Sequence, residues 1–271
     1  MTNALIVTVL SLYITSAACY IFFFIYQKKN VERLGIGLLA AGFISHTGLL
    51  VERFLTLGHF PVIGLKESLC FFAWSLAGLY LFVRIRGMAT AVGVFLSPLV
   101  SAFFAWAAIA EKSSYTIDER FHTVLFPFHI FLAFLGHSAF AFSCGASLMY
   151  LIQEKAVKRH TPGAFMKRLP SLKELDIIIY HSLTTGFFLL TLGIITGALW
   201  LHNIKVVLLS WDPKVAASVV TWFFYALILH TRLLWGWRGK KIALSSVVGF
   251  VCVMFTFLIA GYLKSEFHNF F

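Results

Sequence analysis

Apolar runs of about twenty residues recur along the whole chain, separated by short polar segments. Each run is long enough to cross a hydrocarbon core about 30 Å thick. Eight spans follow, at roughly 4–26, 34–52, 67–84, 88–110, 124–152, 175–199, 213–232 and 242–263. In lipid every backbone N–H and C=O must be satisfied within its own segment, so the spans are read as helices. A β-barrel would show ten-residue strands of alternating polarity, and none is visible. The pattern predicts an all-α fold, a polytopic integral membrane helix bundle of about eight transmembrane helices. The longest polar segment, from Gln153 to Glu174, carries Pro162, Gly163 and Pro170 and reads as a loop. No second domain and no internal repeat stands out, so residues 1–271 are taken as one transmembrane domain.

Composition sharpens the class. With 60% hydrophobic and 12% charged residues, this is no ordinary soluble domain. The net charge of +11 raises nucleic acid as a partner, but its distribution argues against one. With the N-terminus outside, 15 of the 22 Lys and Arg residues fall in inner loops and seven in outer segments. That is the positive-inside bias, and it places both termini on the outer face. Met1-Thr2-Asn3-Ala4 lacks a basic leader and the first apolar run is span-length, so no cleavable signal peptide is expected. Cys19, Cys70, Cys144 and Cys252 all fall inside spans with no CxxC pair, and read as small buried residues. Gly193 and Gly197 form a GxxxG in the sixth span, with Gly186 preceding them, which suggests close helix packing.

Ten histidines can be sorted by depth at about 1.5 Å per residue. His129 lies near the outer end of the fifth span, and His268 follows the outer end of the eighth. His46 and His137 fall nearer mid-membrane, a candidate pair; His181 and His230 lie toward the inner ends. His59, His122, His160 and His202 sit in loops and read as solvated residues. Ionisable groups within spans are functional candidates, against the alternative of a neutral imidazole bonded to a neighbouring helix. Asp212 is a good N-cap for the seventh helix and Pro213 suits its first position. Trp200 and Trp211 are expected in the outer aromatic belt, and Trp235 and Trp237 in the inner one.

The stretch from Gly186 to Trp200, Trp211-Asp212-Pro213-Lys214, Leu229-His230, Trp237-Arg238-Gly239, Glu67-Ser68-Leu69 and His129-Ile130 together resemble the cytochrome c assembly family of membrane haem handlers, whose members include CcsA, CcmC, CcmF and HemX-like proteins. The segment from Gly186 to Trp200 is similar to the helix before the family's tryptophan-rich segment, and Trp211-Asp212-Pro213-Lys214 to the end of that segment. Thr221-Trp222, Tyr225, Leu229-His230 and Arg232 resemble the following helix, and Trp237-Arg238-Gly239 the next inner loop. Glu67-Ser68-Leu69 with Trp74 looks like the third helix. His129-Ile130, Leu135-Gly136 and Tyr150-Leu151 look like the fifth. The chain departs from the pattern at His202–Ser210, which carries no tryptophan, and at Val215, where the family has a glutamate.

The resemblance, closest to CcsA-like members, implies a set of roles. His129 and His268 would be the outer axial ligands of haem iron, and His230 a transit ligand within the membrane. Trp200, Trp211 and Asp212 would belong to the surface that receives the porphyrin. The implied cofactor or cargo is haem b, and the implied function is the haem-handling subunit of system II cytochrome c maturation, which presents haem at the outer face. The implied partners are a CcsB-type membrane protein, apocytochrome c and membrane lipid, with the chain in the plasma (bacterial inner) membrane. No self-contained catalytic constellation is visible, so any catalysis would belong to the complex. The thinned tryptophan segment, shared with HemX-like members, keeps open a second reading: a non-catalytic regulator or accessory protein of haem biosynthesis. A secondary transporter, a third class, often shows inverted repeats, which are not evident here.

Overall fold

The computed structural model describes residues 2–87, 90–110, 123–159, 168–204 and 213–262. Eight α-helices make up nearly all of it: α1 (Thr2–Tyr26), α2 (Lys29–Leu57), α3 (Leu65–Ile85), α4 (Gly93–Ile109), α5 (Leu125–Lys158), α6 (Leu172–Asn203), α7 (Pro213–Leu234) and α8 (Lys240–Tyr262). One 3₁₀ turn, Thr90–Val92, precedes α4, and no strand occurs among the described residues. Six of the helices are both long and apolar enough to cross a membrane: α1, α2, α3, α5, α6 and α7. The chain is a multi-pass helical membrane protein.

Several helices outrun the apolar spans that predict them. The apolar run 124–152 becomes a 34-residue α5, whose last turns carry Glu154 and Lys158 in a 2.8 Å i,i+4 pair. Helical hydrogen bonding does not stop where the hydrocarbon stops, and such a pair supports the solvated extension. At the start of α6, Ser171 and Glu174 form a capping box, which fixes where the Gln153–Glu174 segment re-enters the helix.

The helices form two rings. In the first, α1 packs on α2 and α4, and α3 closes the ring by packing on α2 and α4. In the second, α5 packs on α6 and α8, and α7 on α6 and α8. Short connections make successive helices antiparallel neighbours, which yields this order. The rings meet chiefly through α3 against α5. Hydroxyl pairs stitch helices together where lipid offers no hydrophobic drive: Ser75 to Ser138 at 3.1 Å and Ser143 to Ser246 at 2.8 Å. At one end of the bundle, Arg84 of α3 pairs with Glu32 of α2. Arg232 of α7 clamps Asp176 of α6 through two bonds of 3.0 and 2.7 Å.

The tightest seam is α5 against α6. A Cβ on Gly136 would lie 3.1 Å from the Gly186 carbonyl oxygen, and one on Gly186 would lie 2.6 Å from the Phe140 ring. These glycines are spent on close approach, as the GxxxG spacing suggests.

Candidate functional site

His129 sits one turn into α5, at the end of the bundle that the charge bias assigns to the outer side. Its half-buried ring lies in a notch on α6 that Gly197 leaves open, beside the Gly193 carbonyl. A Cβ on Gly197 would come within 2.7 Å of the imidazole, so any larger residue would displace the ring. Nδ1 stands 2.7 Å from the Gly193 carbonyl oxygen, which also accepts from Thr196 Oγ1 at 2.9 Å. A carbonyl only accepts, so the proton is on Nδ1. In the neutral form of the ring the lone pair is then on Nε2. Fixing one ring nitrogen on a carbonyl to set the other as ligand is how metal-binding histidines are oriented.

The same ends of α5 and α6 contribute to a cluster of Val62, Ile63, Phe71, Phe126, Trp200 and Leu201. Trp200 is only 2% exposed, with its ring 5.0 Å from that of Phe126. It forms an inward-facing wall instead of standing in a lipid-facing belt, because Val62 and Ile63 of the α2–α3 loop pack into the same cluster. That loop turns at Gly58 (φ +72°) and Gly64 (φ +98°). It also carries His59 inward: the side chain is 3% exposed, and Nδ1 lies 3.0 Å from the Phe60 carbonyl. Loop position in the sequence pointed to a solvated His59, but it does not reveal a loop that folds back over the bundle.

The other histidines separate by their partners. His46 is fully buried, with Nδ1 3.1 Å from Tyr13 Oη and Nε2 3.0 Å from Cys70 Sγ. Both nitrogens are engaged, and the partners are Tyr13 and Cys70, not His137. His46 therefore fits the structural reading. His137 donates from Nδ1 to the Ala133 carbonyl of its own helix at 2.6 Å. His181 and His202 are exposed on α6. His230 lies one turn before the end of α7, about 25 Å from its first residue. It is exposed there, beside Leu227 and Leu234 at 56% and 67%, on an outward stripe and not inside the ring. Trp211, Asp212 and His268, and also His122 and His160, lie outside the described residues. The α7 helix begins at Pro213, where the Asp-Pro pair places its start.

One cluster escaped sequence reasoning. At the end of the first ring near the α2–α3 loop, Leu49, Arg53, Lys66, Glu67, Cys70 and Phe104 line a cavity of about 30 Å³. Glu67 is 8% exposed, and among the described residues its Oε2 has no hydrogen-bond partner. Lys66 donates to the Ala108 and Ala110 carbonyls at 3.3 and 3.0 Å, closing the end of α4. A carboxylate and a lysine inside an apolar run were the available signal. Among the described residues no three His, Cys, Asp or Glu side chains gather to hold a bare metal ion. Haem iron asks less of the protein, since one or two axial side chains suffice.

The family model for cytochrome C assembly proteins matches residues 62–268, from the α2–α3 loop past the end of α8. The chain belongs to this family. Among its relatives is the cytochrome c biogenesis protein CcsA of Gloeobacter violaceus, 27% identical over 89% of this chain and 87% of that protein. CcsA of Chlorella vulgaris is 27% identical over 94% of this chain and 95% of its own length. CcsA of Chlamydomonas reinhardtii is 30% identical over 82% of this chain and 64% of its own. Membership ties the chain to cytochrome c biogenesis, and through it to haem. It brings the His129 notch, the Trp200 wall and the Asp176–Arg232 clamp into one family domain.

Proposed function

We propose that this chain is the haem-handling subunit of CcsA-type, system II cytochrome c maturation, presenting haem b at the outer face for attachment to apocytochrome c. The observation that carries the reading is the His129 ring, whose Nδ1 is held on the Gly193 carbonyl beside Gly197, an arrangement that would leave Nε2 to ligate. His268 would supply the second iron-ligating nitrogen, and Trp211, Asp212 and Trp200 would contribute to the surface that receives the porphyrin. His230 holds haem nearer the inner leaflet. Haem supplies the electrophilic vinyl groups that take up the apocytochrome cysteines. This chain's residues orient it and exclude water, and a CcsB-type partner completes the site. Catalysis then belongs to the assembled complex in the plasma (bacterial inner) membrane.

The reading requires eight crossings with both termini outside, which the 15-to-seven division of Lys and Arg supports. A reporter fused after Phe271 is expected to be active only on the outer side. Activity confined to the cytoplasm would refute this topology.

The transit role of His230 is separable from packing. Its exposed position leaves few described contacts to lose, so His230→Gln should leave protein abundance unchanged while lowering haem content and cytochrome c maturation. Were His230 only a hydrogen-bonding group, a contact worth about 1 kcal/mol in membranes, glutamine would preserve both. Wild-type haem content and maturation in His230→Gln would end the transit proposal.

A further inference from the structure

The two rings repeat the same interhelical contacts, at a shift in sequence that is fixed for each pair of corresponding helices. In the first, Trp74 Nε1 donates to Thr47 Oγ1; in the second, Trp222 Nε1 donates to Thr191 Oγ1, both at 2.9 Å. Arg84 pairs with Glu32, and Arg232 with Asp176. Ser16 Oγ donates to the Gly35 carbonyl at 2.8 Å, and Ser143 Oγ to the Ile179 carbonyl at 3.4 Å. A Cβ on Gly42 would strike the Tyr13 ring, and one on Gly186 the Phe140 ring. The shift is 127 residues from α1 to α5 (13 to 140, 16 to 143) and 144 from α2 to α6 (32 to 176, 35 to 179, 42 to 186, 47 to 191). From α3 to α7 it is 148 (74 to 222, 84 to 232). An indole bond, an ion pair, a hydroxyl–carbonyl bond and a glycine–aromatic contact all fall on one register. Helices α5–α8 are a second copy of the α1–α4 unit. Four crossings per unit keep both copies in the same sense across the membrane.

The join between the units is head-to-tail, the third helix of one against the first helix of the next. Ser75 and Ser138 hydroxyls meet there at 3.1 Å, and the Phe71 and Phe72 rings lie 5.3 and 6.2 Å from Phe134. The register carries both sides of this contact to surfaces the chain leaves open. On α7 the counterparts of Phe71, Phe72 and Ser75 are Val219, Val220 and Phe223, exposed by 37%, 64% and 63%. On α1 the counterparts of Phe134 and Ser138 are Val7, 63% exposed, and Ser11, also exposed and again a serine. Ser11 now turns its hydroxyl back to the Val7 carbonyl at 2.8 Å. Each monomer thus ends in one unfilled socket and one unfilled plug of an interface it already uses internally.

We propose that α7 of one copy packs on α1 of a second copy, reproducing the α3–α5 join between molecules. Lipid would serve an apolar stripe equally well. What selects protein is the register, which makes the two open faces counterparts of surfaces that pack together within the chain. The α7 stripe also runs on through Leu227, 56% exposed. Such a contact is heterologous, with different surfaces on the two partners, and it either closes into a ring of copies or propagates.

The test is a cross-link placed by the register. In full-length chain freed of its native cysteines, S11C and F223C stand where Ser138 and Ser75 stand in the internal join. Mild oxidation in membranes should yield covalent dimers and longer products when one chain carries both S11C and F223C, and covalent dimers alone in a mixture of the two single variants. Neither single variant alone should do so. The S75C/S138C pair reports that the internal join is intact, through a disulfide formed within one chain. Native mass spectrometry of the unmodified protein in mild detergent should show multiples of 30.5 kDa. Dimers from F223C alone would mean a face-to-face twofold contact and overturn the proposal. So would a monomeric mass, capture of a different membrane protein at F223C, or an intact internal disulfide without the intermolecular one.

Discussion

Replacing His129 with alanine is expected to remove most haem from the purified protein and to reduce cytochrome c maturation sharply in cells. Losing even an outer-shell partner of a metal ligand costs about 10–100-fold in affinity or activity, and an axial ligand is worth at least as much. The substitution should do little to the fold. The ring is half-buried, and its removal leaves an opening beside Gly193 and Gly197 at the bundle's outer end. Exogenous imidazole should therefore restore much of the haem signal, because it can enter from water and donate to the Gly193 carbonyl as His129 does. Comparing haem content and maturation with and without imidazole, at matched protein abundance, separates ligation from packing. Full haem content without imidazole would remove His129 from the site.

The largest loss of stability is expected from Asp176→Ala. Asp176 accepts two bonds from Arg232 and a third from the Gly239 backbone N–H at 3.1 Å, tying α6, α7 and the turn into α8 together. The Arg232 side chain is 11% exposed, so removing its partner leaves a charge largely away from water. Breaking such a pair costs about 3–5 kcal/mol when fully buried, and about 2–3 kcal/mol is expected at this water-adjacent depth. The Gly239 turn would loosen as well, since its φ of +62° is held against Tyr150 with no room for a Cβ. Thermal unfolding in detergent should show the drop. Asp176→Asn keeps an acceptor for one guanidinium bond and should recover part of it. Equal melting of the alanine variant and the wild type would show that the clamp is not holding these helices.

The helices were legible because lipid leaves the backbone one solution and sets a minimum length for it. All eight apolar runs became helices, with ends moved by capping and by charged extensions such as Glu154–Lys158. The glycines of α6 were legible as a packing seam, but only the structure shows that Gly197 makes room for His129. Depth along a helix was readable for His129 and His230, whereas the direction each faces was not. His230 points outward and Trp200 inward, and both orientations depend on neighbours in distant parts of the chain. His46 illustrates the same gap. Sequence offered it as a pair for His137, and the fold gives it Tyr13 and Cys70. The repeat was invisible for a related reason. It survives in contacts such as Thr47–Trp74 and Thr191–Trp222, while most intervening residues have changed with their surroundings.

The central claim is that His129 supplies one of two histidine nitrogens to haem iron at the outer face. The absorption spectrum of detergent-purified protein from haem-replete cells tests it most directly, with His129→Ala purified alongside. The account predicts a b-type, bis-histidine spectrum at less than one haem per chain, lost in the variant and regained with imidazole. No Soret band in the wild type, or an unchanged spectrum in His129→Ala, would contradict it.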